Sequence, residues 1–405
     1  MRHLPLVSLF IVTFAASPVF AETTTADVEP FLVEGRIDDG IAAMKQRLKA
    51  APTDAEAQFA LGIFSTLEAV ENLSQNLYRY GLRPQSPRVP FVRLPVPVNP
   101  NPEPLTYLKW RAIMQQFIDD LAVADAELSK VDDPNVKLKL PVGLVRLDLN
   151  GDGKSEDGET FWKVFTAVAW RAAKLDEDQQ RFDIGFDKAD VHWLIGYTHL
   201  LRAMGEAYLA YDTEGFFNNT AAIFFDGIDS PLAQFKANQQ NRFMDQFADG
   251  ILAIHMFNFD VAEPRRMEVA RQHLLTMISH SRLVWAYCTK ETDDDREWIP
   301  NAKQTSLTPL TVNDARIQGW ATFLDEAETV LEGKKLLPHW RVSDGRGINL
   351  KRVFTEPTRF DLVGWAHGVS AIPYLEEGSK VSPETARTLQ QTFGGRFTVF
   401  AIWFQ

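Results

Sequence analysis

The chain has 405 residues and a formal net charge of −12, with 42 Lys and Arg against 54 Asp and Glu. An acidic balance argues against nucleic-acid binding, which requires a basic surface, and favours cations or basic partners. The single cysteine, Cys288, excludes an intramolecular disulfide, so stability has to come from packing and bound ions. Its neighbours Leu283 to Tyr287 are largely apolar, which predicts a buried and inert thiol.

The first 21 residues predict an export signal. A short basic start precedes the apolar run from Leu4 to Ala16, which is too short to span a bilayer. Val19 and Ala21 are small residues at the −3 and −1 positions of a cleavage site, so the mature chain is expected to begin near Glu22. Because no later segment approaches ~20 uninterrupted apolar residues, we expect a periplasmic or secreted protein without stable membrane insertion.

Residues 26–67 carry two helical patterns that are separated by a glycine-containing turn. If Pro52 is set at the end of a repeat, Gly40 falls at a small-residue position and Gly62 at the Leu-Gly pair of the next repeat. This arrangement resembles the tetratricopeptide repeat over about one and a half repeats. The resemblance implies that residues 22–83 form helix pairs whose concave surface binds a protein partner.

A proline-rich connector is predicted between residues 84 and 104, because prolines at this density forbid a helix and favour extended backbone. Four apolar residues among them predict a strap that lies on the surface; these residues are Val89, Phe91, Val92 and Leu94.

The remaining chain, 105–405, is expected to form a larger, mainly α-helical body with few short strands. Asp190 and Asn313 occupy positions that favour helix capping. Helical periodicity covers 105–130, 159–175, 188–211, 232–257, 263–288, 311–333 and 382–393, and strand-like runs cover 137–147 and 396–404.

Residues 148–159 match the EF-hand calcium loop, D-x-[DN]-x-[DN]-G-x5-E, at each fixed position. Ca²⁺ takes six to eight oxygen ligands, which alternating polar side chains supply when Gly153 allows the chain to turn sharply. The resemblance assigns the ligands to Asp148, Asn150, Asp152, the carbonyl of Lys154, Glu156 directly or through water, and the bidentate carboxylate of Glu159.

This loop departs from a complete EF-hand in two ways. The preceding segment, 140–147, contains Pro and Gly and is expected to be extended, and position eight, usually apolar, is Ser155. No second loop is found for pairing. A lone loop is expected to bind Ca²⁺ weakly, with a dissociation constant of about 10⁻⁴–10⁻³ M, as a structural clamp. The alternative is a metal-free acidic turn, in which the carboxylates would repel one another.

Two pairs of histidines share a spacing of seven residues, which is two helical turns: His192 with His199, and His273 with His280. Together they could bridge two helices around a transition metal, although zinc sites on one helix favour a spacing of four. Polar core or surface histidines are the alternative. The candidate carboxylates for such a site are Asp187, Asp190 and Glu206.

Two segments combine aromatic residues with polar side chains. His339, Arg341 and Arg346 stand near Trp340 and could hold a carboxylate or a sugar, whereas a loop packed by its aromatic residue is the alternative. Residues 297–301 form a similar cluster around Trp298, and residues 293–295 are expected to be a solvated acidic loop.

The sequence contains no Gly-x-Ser-x-Gly, phosphate-binding loop, dinucleotide fingerprint or His-Glu-x-x-His motif. The first hypothesis is therefore an exported, calcium-binding helical protein that serves as a binding or assembly module. The alternative is a periplasmic enzyme that acts on a polysaccharide or small substrate through carboxylates near Trp340 or Trp298, because acid pairs have no local signature. A deep cleft with a close acid pair would favour the enzyme.

Overall fold

The computed structural model describes residues 25–84, 96–163, 180–228, 242–294, 296–305, 312–393 and 397–404. The predicted export signal, the four apolar residues of the connector, and most of the predicted helix 159–175 lie outside these ranges. Within them the chain is mainly α-helical with few short strands, as the sequence predicts.

The α-helices, in chain order, are α1 (Thr25–Glu34), α2 (Ile37–Ala50), α3 (Ala55–Arg79), α4 (Tyr107–Leu128), α5 (Lys188–Leu209), α6 (Glu214–Thr220), α7 (Arg242–Met256), α8 (Pro264–Cys288), α9 (Asp314–Leu331), α10 (Leu350–Thr355), α11 (Leu362–His367), α12 (Pro383–Phe393) and α13 (Phe397–Phe404). The strands are β1 (Leu138–Pro141), β2 (Asp183–Phe186), β3 (Tyr211–Asp212), β4 (Asn258–Val261), β5 (Arg346–Ile348), β6 (Phe360–Asp361) and β7 (Leu375–Glu377). They pair antiparallel as β1–β2, β3–β4–β6 and β5–β7. None of the described helices is both long and apolar enough to cross a membrane.

The long helices α3, α4, α5 and α8 build the frame of the described chain, with α3 packed on α4, α4 on α5, and α5 on α8. The pair α5 and α8 runs antiparallel, since His192 meets His280 and His199 meets His273. One apolar core, around Phe59 and Phe64, joins the N-terminal helices to the end of α4, to β1 and to α5. A second core joins α8 to α9, α12 and α13.

Capping side chains set where several of these helices begin. The side chain of Asn313 accepts a hydrogen bond from the backbone of Arg316, which confirms its predicted capping role. At α5 the capping residue is Asp187, and Asp190 is the third helical residue, whose carboxylate accepts the N–H of Asp187 in return.

Glycines allow the N-terminal helices to approach closely. A Cβ atom at Gly40 would lie 2.5 Å from the ring of Phe64, so α2 contacts α3 only because this side chain is absent. A Cβ atom at Gly62 would lie 2.4 Å from Leu128 at the end of α4. Both glycines stand at the positions that carry the tetratricopeptide resemblance, which itself stays a prediction.

The described end of the connector lies against the C-terminal end of α3. Val96 is buried in an apolar cluster with Leu77 and Tyr80, and the N–H of Glu103 donates to the carbonyl of Arg79 at 2.9 Å. This part of the connector is therefore packed against the helical body.

The prediction of a strand-like run at 396–404 is wrong, because residues Phe397–Phe404 form helix α13. Phe397 and Phe400 are three positions apart in this helix, which places them on one face, and Phe393 is the last residue of α12. Their rings pack on one another and on Trp320, with 4.7 Å between the ring centroids of Phe393 and Phe400. The run 137–147 is a strand only at Leu138–Pro141 and then forms a 3₁₀ turn at Val142–Leu144.

The substitution Gly62→Ala is expected to lower the free energy of unfolding by about 1–3 kcal/mol, because its methyl group overpacks the α3–α4 contact. Gly250→Ala on α7 is the matched control, since nothing lies within 4 Å of its Cβ position. That control should leave stability unchanged or raise it by up to about 1 kcal/mol. Urea unfolding followed by circular dichroism measures both, and equal stability of the two variants would contradict the close approach.

Candidate functional site

Backbone hydrogen bonds pin both ends of the loop 148–159. Arg146 and Thr160 form an antiparallel bridge, and the N–H of Phe161 donates to the carbonyl of Val145 at 2.8 Å. A 3₁₀ turn at Asp157–Glu159 ends the loop. The preceding segment, 140–147, is extended only on either side of the 3₁₀ turn at Val142–Leu144, and the bridge at Arg146 brings the two ends of the loop side by side.

Asp148, at the first position, organises the start of the loop. Its Oδ1 accepts the N–H groups of Gly151 at 2.7 Å and Asp152 at 3.2 Å, and its Oδ2 accepts that of Gly153 at 2.8 Å. Gly151 and Gly153 have φ values of +74° and +78°, a region that favours glycine. The chain therefore wraps around the Asp148 carboxylate.

The side chains at the third and fifth positions of the loop also accept hydrogen bonds from the loop backbone. The side-chain oxygen of Asn150 accepts the N–H of Asp152 at 2.8 Å, and Oδ1 of Asp152 accepts the N–H of Lys154 at 2.9 Å. Each oxygen thus bonds to the backbone two residues later, which keeps these side chains beside the loop backbone.

Glu159, at the twelfth position, closes the loop. Its side chain is buried at 5% exposure. Oε1 accepts the N–H of Leu149 at 3.1 Å, and Oε2 accepts that of Glu156 at 2.8 Å, so one carboxylate spans the second and ninth positions. Burial raises the pKa of Glu159, and the carboxylates of Asp148 and Asp152 raise it further. The closed loop therefore concentrates negative charge that a cation would offset.

The loop docks on the N-terminal helices. The N–H of Asp148 donates to Oε1 of Glu71 at 2.5 Å, and Nε2 of Gln75 donates to the carbonyl of Asp148 at 2.9 Å. Burial raises the pKa of Glu71 to about 7. Ser155 lies against Gly35, in the turn between α1 and α2, where an added Cβ atom would be 2.0 Å from its Oγ. The eighth position therefore contacts a helical turn, which explains why a small polar residue stands there.

A partly buried acid cluster lies where α5 begins and α8 has ended. Asp187, Glu291 and Glu297 each offer an oxygen, and these oxygens lie within 4.8 Å of one another. In the part of the chain that the structure describes, no other group of three or more His, Cys, Asp or Glu residues meets this criterion. Asp187 was a candidate carboxylate for the histidines, but no local signal joined it to residues about a hundred positions away.

Burial raises the pKa of two acids here, Asp190 and Glu291. Asp190, at 3% exposure, has its pKa raised well above the usual range by burial and then by the Asp187 carboxylate. Burial also raises the pKa of Glu291 to about 8, with Asp187 adding to the effect. The buried thiol of Cys288 lies beside these acids, and burial raises its pKa far above the usual value, so the prediction of an inert thiol is confirmed.

The histidines face one another in pairs across α5 and α8. The Nδ1 atoms are 3.1 Å apart in His192 and His280, and 2.7 Å apart in His199 and His273. The predicted shared faces are confirmed. However, neither pair gains a third ligand within 4.8 Å among the described residues, so the structure does not form the four-histidine metal site. Glu206 instead pairs with Arg266 at 2.8 Å.

A carboxylate orders the second histidine pair. Oδ2 of Asp125 lies 3.3 Å from Nε2 of His199 and accepts a hydrogen bond from Arg202 at 2.9 Å. The Nε2 atom of His199 therefore faces Asp125, and its Nδ1 shares a hydrogen bond with Nδ1 of His273. Burial, followed by the charge of Arg202, lowers the pKa of His273 to about 4. His273 is therefore a neutral polar group of the core near pH 7.

The predicted ligand residues around Trp340 are brought together only in part. Arg341 and Arg346 line one cavity of about 340 Å³, whereas His339 and Trp340 do not line it. Arg341 stacks 4.6 Å from the centroid of Trp340, which is 75% exposed. Arg346 is held by Asp344 at 2.6 Å, so its charge is already paired.

A larger cavity, of about 480 Å³, lies between the N-terminal helices and α5. Its walls are almost wholly apolar, with Phe59, Trp193 and Trp298 among the lining side chains, and Asp190 contributes the carboxylate. Its lining is typical of a site for an apolar molecule with one polar group.

Comparison of the chain with protein-family models, with curated proteins and with solved structures finds no match. The function therefore has to be argued from the site itself.

The lowered pKa of His273 predicts that the fold loses stability as the pH falls. Because the folded pKa of about 4 lies below the ordinary value near 6.5, this histidine favours folding above pH 6.5, and that contribution is lost as the pH falls toward 4. Between pH 6.5 and pH 4, the free energy of unfolding should fall by about 1–3 kcal/mol less in His273→Gln than in the wild type. Urea unfolding at several pH values measures the difference, and identical acid sensitivity in two proteins that are both folded at pH 7.5 would contradict it.

Proposed function

We propose that this protein binds Ca²⁺ in the loop 148–159 and that the ion fastens the N-terminal helices to the helical body. The carrying observation is the closure of the loop by Glu159, whose carboxylate bonds to the backbone of its second and ninth positions. In this reading the protein is an exported binding or assembly module in which calcium is structural.

The oxygen supply of the loop suits a calcium ion. Asp148, Asn150 and Asp152 already turn inward, and each carboxylate oxygen that accepts one N–H keeps a further lone pair for a metal. The carbonyl of Lys154 and the side chains of Glu156 and Glu159 complete the proposed ligand set. An oxygen-rich cage of this size favours Ca²⁺ over Mg²⁺, which requires near-ideal octahedral geometry and keeps its waters.

The contacts outside the loop support a structural role. Glu71 and Gln75 on α3 hold the backbone of Asp148, and Ser155 lies against Gly35 between α1 and α2. An ion that orders the loop therefore also orders its contacts with three helices. The N-terminal helix pairs then present a fixed surface, which is the proposed site for a protein partner.

A second candidate, an enzyme or carrier for a small molecule, is favoured by the apolar cavity beside the acid cluster. Asp190 and Trp298 line the cavity, and Asp190 neighbours the three clustered acids. Apolar walls fit a small apolar substrate better than a polysaccharide. A fluorescent apolar probe whose binding is abolished by the cavity-filling variant Ile63→Trp would support this function; unaltered binding would remove it.

Calcium is expected to stabilise the mature chain through Glu159. At a free Ca²⁺ concentration one hundred times the dissociation constant, the loop should add about 2.7 kcal/mol to the free energy of unfolding. Glu159→Gln should lose this increment, and in chelator its stability should fall below that of the wild type, because its side-chain NH₂ cannot accept one of the two backbone N–H groups that Glu159 accepts. Thermal and urea unfolding measure both quantities.

The control for that experiment is Asp157→Asn, which removes the same charge from the same loop at a position outside the ligand pattern. It should keep the calcium-dependent increment. If Glu159→Gln retained the full increment, or if wild type unfolded identically in chelator and in calcium, the loop would not be a calcium site.

The contact between Ser155 and Gly35 should couple the loop to the N-terminal helices. Gly35→Ala is expected to weaken calcium binding, because Gly35 has a φ of +67° and its new methyl group would displace Ser155. Gly345→Ala is the control, since Gly345 has a φ of +91° with nothing within 4 Å of its Cβ position. Both variants carry backbone strain, but only Gly35→Ala should raise the calcium midpoint in a thermal-shift titration. Equal midpoints would contradict the coupling.

A further inference from the structure

The acid cluster at the start of α5 is a built site whose carboxylates are held by the fold from two sides. Oδ1 of Asp187 accepts the N–H of Ala189 at 2.7 Å, and Oδ2 of Asp190 accepts the N–H of Asp187 at 3.0 Å. Oε2 of Glu291 accepts a hydrogen bond from Gln304 at 3.2 Å. Each of these carboxylates thus uses one oxygen to fix its own position.

Two of these acids each have a second carboxylate oxygen without a hydrogen-bond partner. Oδ1 of Asp190 and Oε1 of Glu291 are buried without a hydrogen bond. Asp190 is the more informative, because its side chain is 3% exposed and its charged neighbours are Asp187, Glu297 and Glu291. A buried carboxylate oxygen without a donor is costly, and such an atom in a folded protein is satisfied by an ion, a proton or an ordered water.

Three of these four acids have no basic side chain as a partner in the described parts of the chain. Among the described residues, no lysine or arginine forms an ion pair with Asp187, Asp190 or Glu291. The oxygens of Asp187, Glu291 and Glu297 lie within 4.8 Å of one another. This separation is about twice the Ca²⁺–oxygen distance of 2.3–2.6 Å, so one ion can contact all three.

We propose that Asp187, Glu291 and Glu297 bind a divalent cation of the calcium class, with Asp190 as the fourth carboxylate, directly or through a water. This site is separate from the loop 148–159 and does not depend on it. The ion ties the start of α5 to the segment that follows α8.

The chemistry of the surrounding groups selects the class of ion. All of the charged ligands are carboxylates, which hard cations prefer, whereas transition metals favour imidazole or thiolate. The Sγ of Cys288 is engaged as a donor to the carbonyl of Ile299 at 3.1 Å, and its neutral thiol is a poor metal ligand.

A competing explanation is that the acids share a proton instead of an ion, and an ion count separates the two. Equilibrium dialysis of the mature chain against Ca²⁺, with bound metal measured by atomic emission, should find two ions in the wild type and one in Glu159→Gln. The double variant Glu159→Gln with Glu291→Gln should bind none. Glu291→Gln is suitable because it resembles the protonated acid and should therefore fold.

The matched control is Asp294→Asn in the Glu159→Gln background, which removes an exposed acid from the same segment. It should retain one ion. A wild-type count of one that falls to none in Glu159→Gln would support the loop and overturn the cluster site. A count of one that survives Glu159→Gln but falls with Glu291→Gln would support the cluster and overturn the loop.

Terbium luminescence provides a second readout that does not depend on stability. Tb³⁺ replaces calcium and is sensitised by nearby tryptophan, and Trp298 directly follows Glu297. In the Glu159→Gln background, Tb³⁺ emission should be lost on Glu291→Gln and kept on Asp294→Asn. Equal emission from the two variants, with both folded by circular dichroism, would overturn the proposal.

Discussion

Carboxylates that are gathered out of water repel one another, and this constraint shapes two separate parts of the structure. In the loop 148–159 the buried side chain of Glu159 stands close enough to Asp148 and Asp152 for their charges to raise its pKa. At the start of α5, Asp190 and Glu291 each leave a buried oxygen without a donor. Protons or metal ions bound at these carboxylates would offset the repulsion in both places.

The packing of the long helices determines where these carboxylates come together. Because α5 and α8 run antiparallel, the first residues of α5 meet the segment that follows α8, and the acids of both come together. The same pairing places His199 against His273, and Asp125 contacts the other ring nitrogen of His199. Polar groups at this interface therefore divide by position, with histidine pairs along the helices and acids at their end.

Local patterns in the sequence predicted structure correctly where the contacts involved join residues close along the chain. The loop 148–159 is such a case, since the hydrogen bonds from N–H groups inside the loop to the carboxylates of Asp148 and Glu159 join residues at most ten positions apart. Helix periodicity and the cap at Asn313 are local for the same reason. The prediction failed at α13, where alternating aromatic residues are equally compatible with a strand and only packing on Trp320 selects the helix.

By itself, the sequence determined the mainly helical class, the buried single cysteine and the form of the acidic loop, because each depends on neighbours along the chain. Only the tertiary structure decided that the loop rests on α3 through Glu71 and Gln75, and that Asp187 lies beside Glu291 and Glu297. Such contacts arise when helices pack, and no spacing in the sequence indicates that side chains a hundred residues apart will be in contact. The physical reason is that burial and charge proximity are properties of packed surfaces, which local periodicity does not encode.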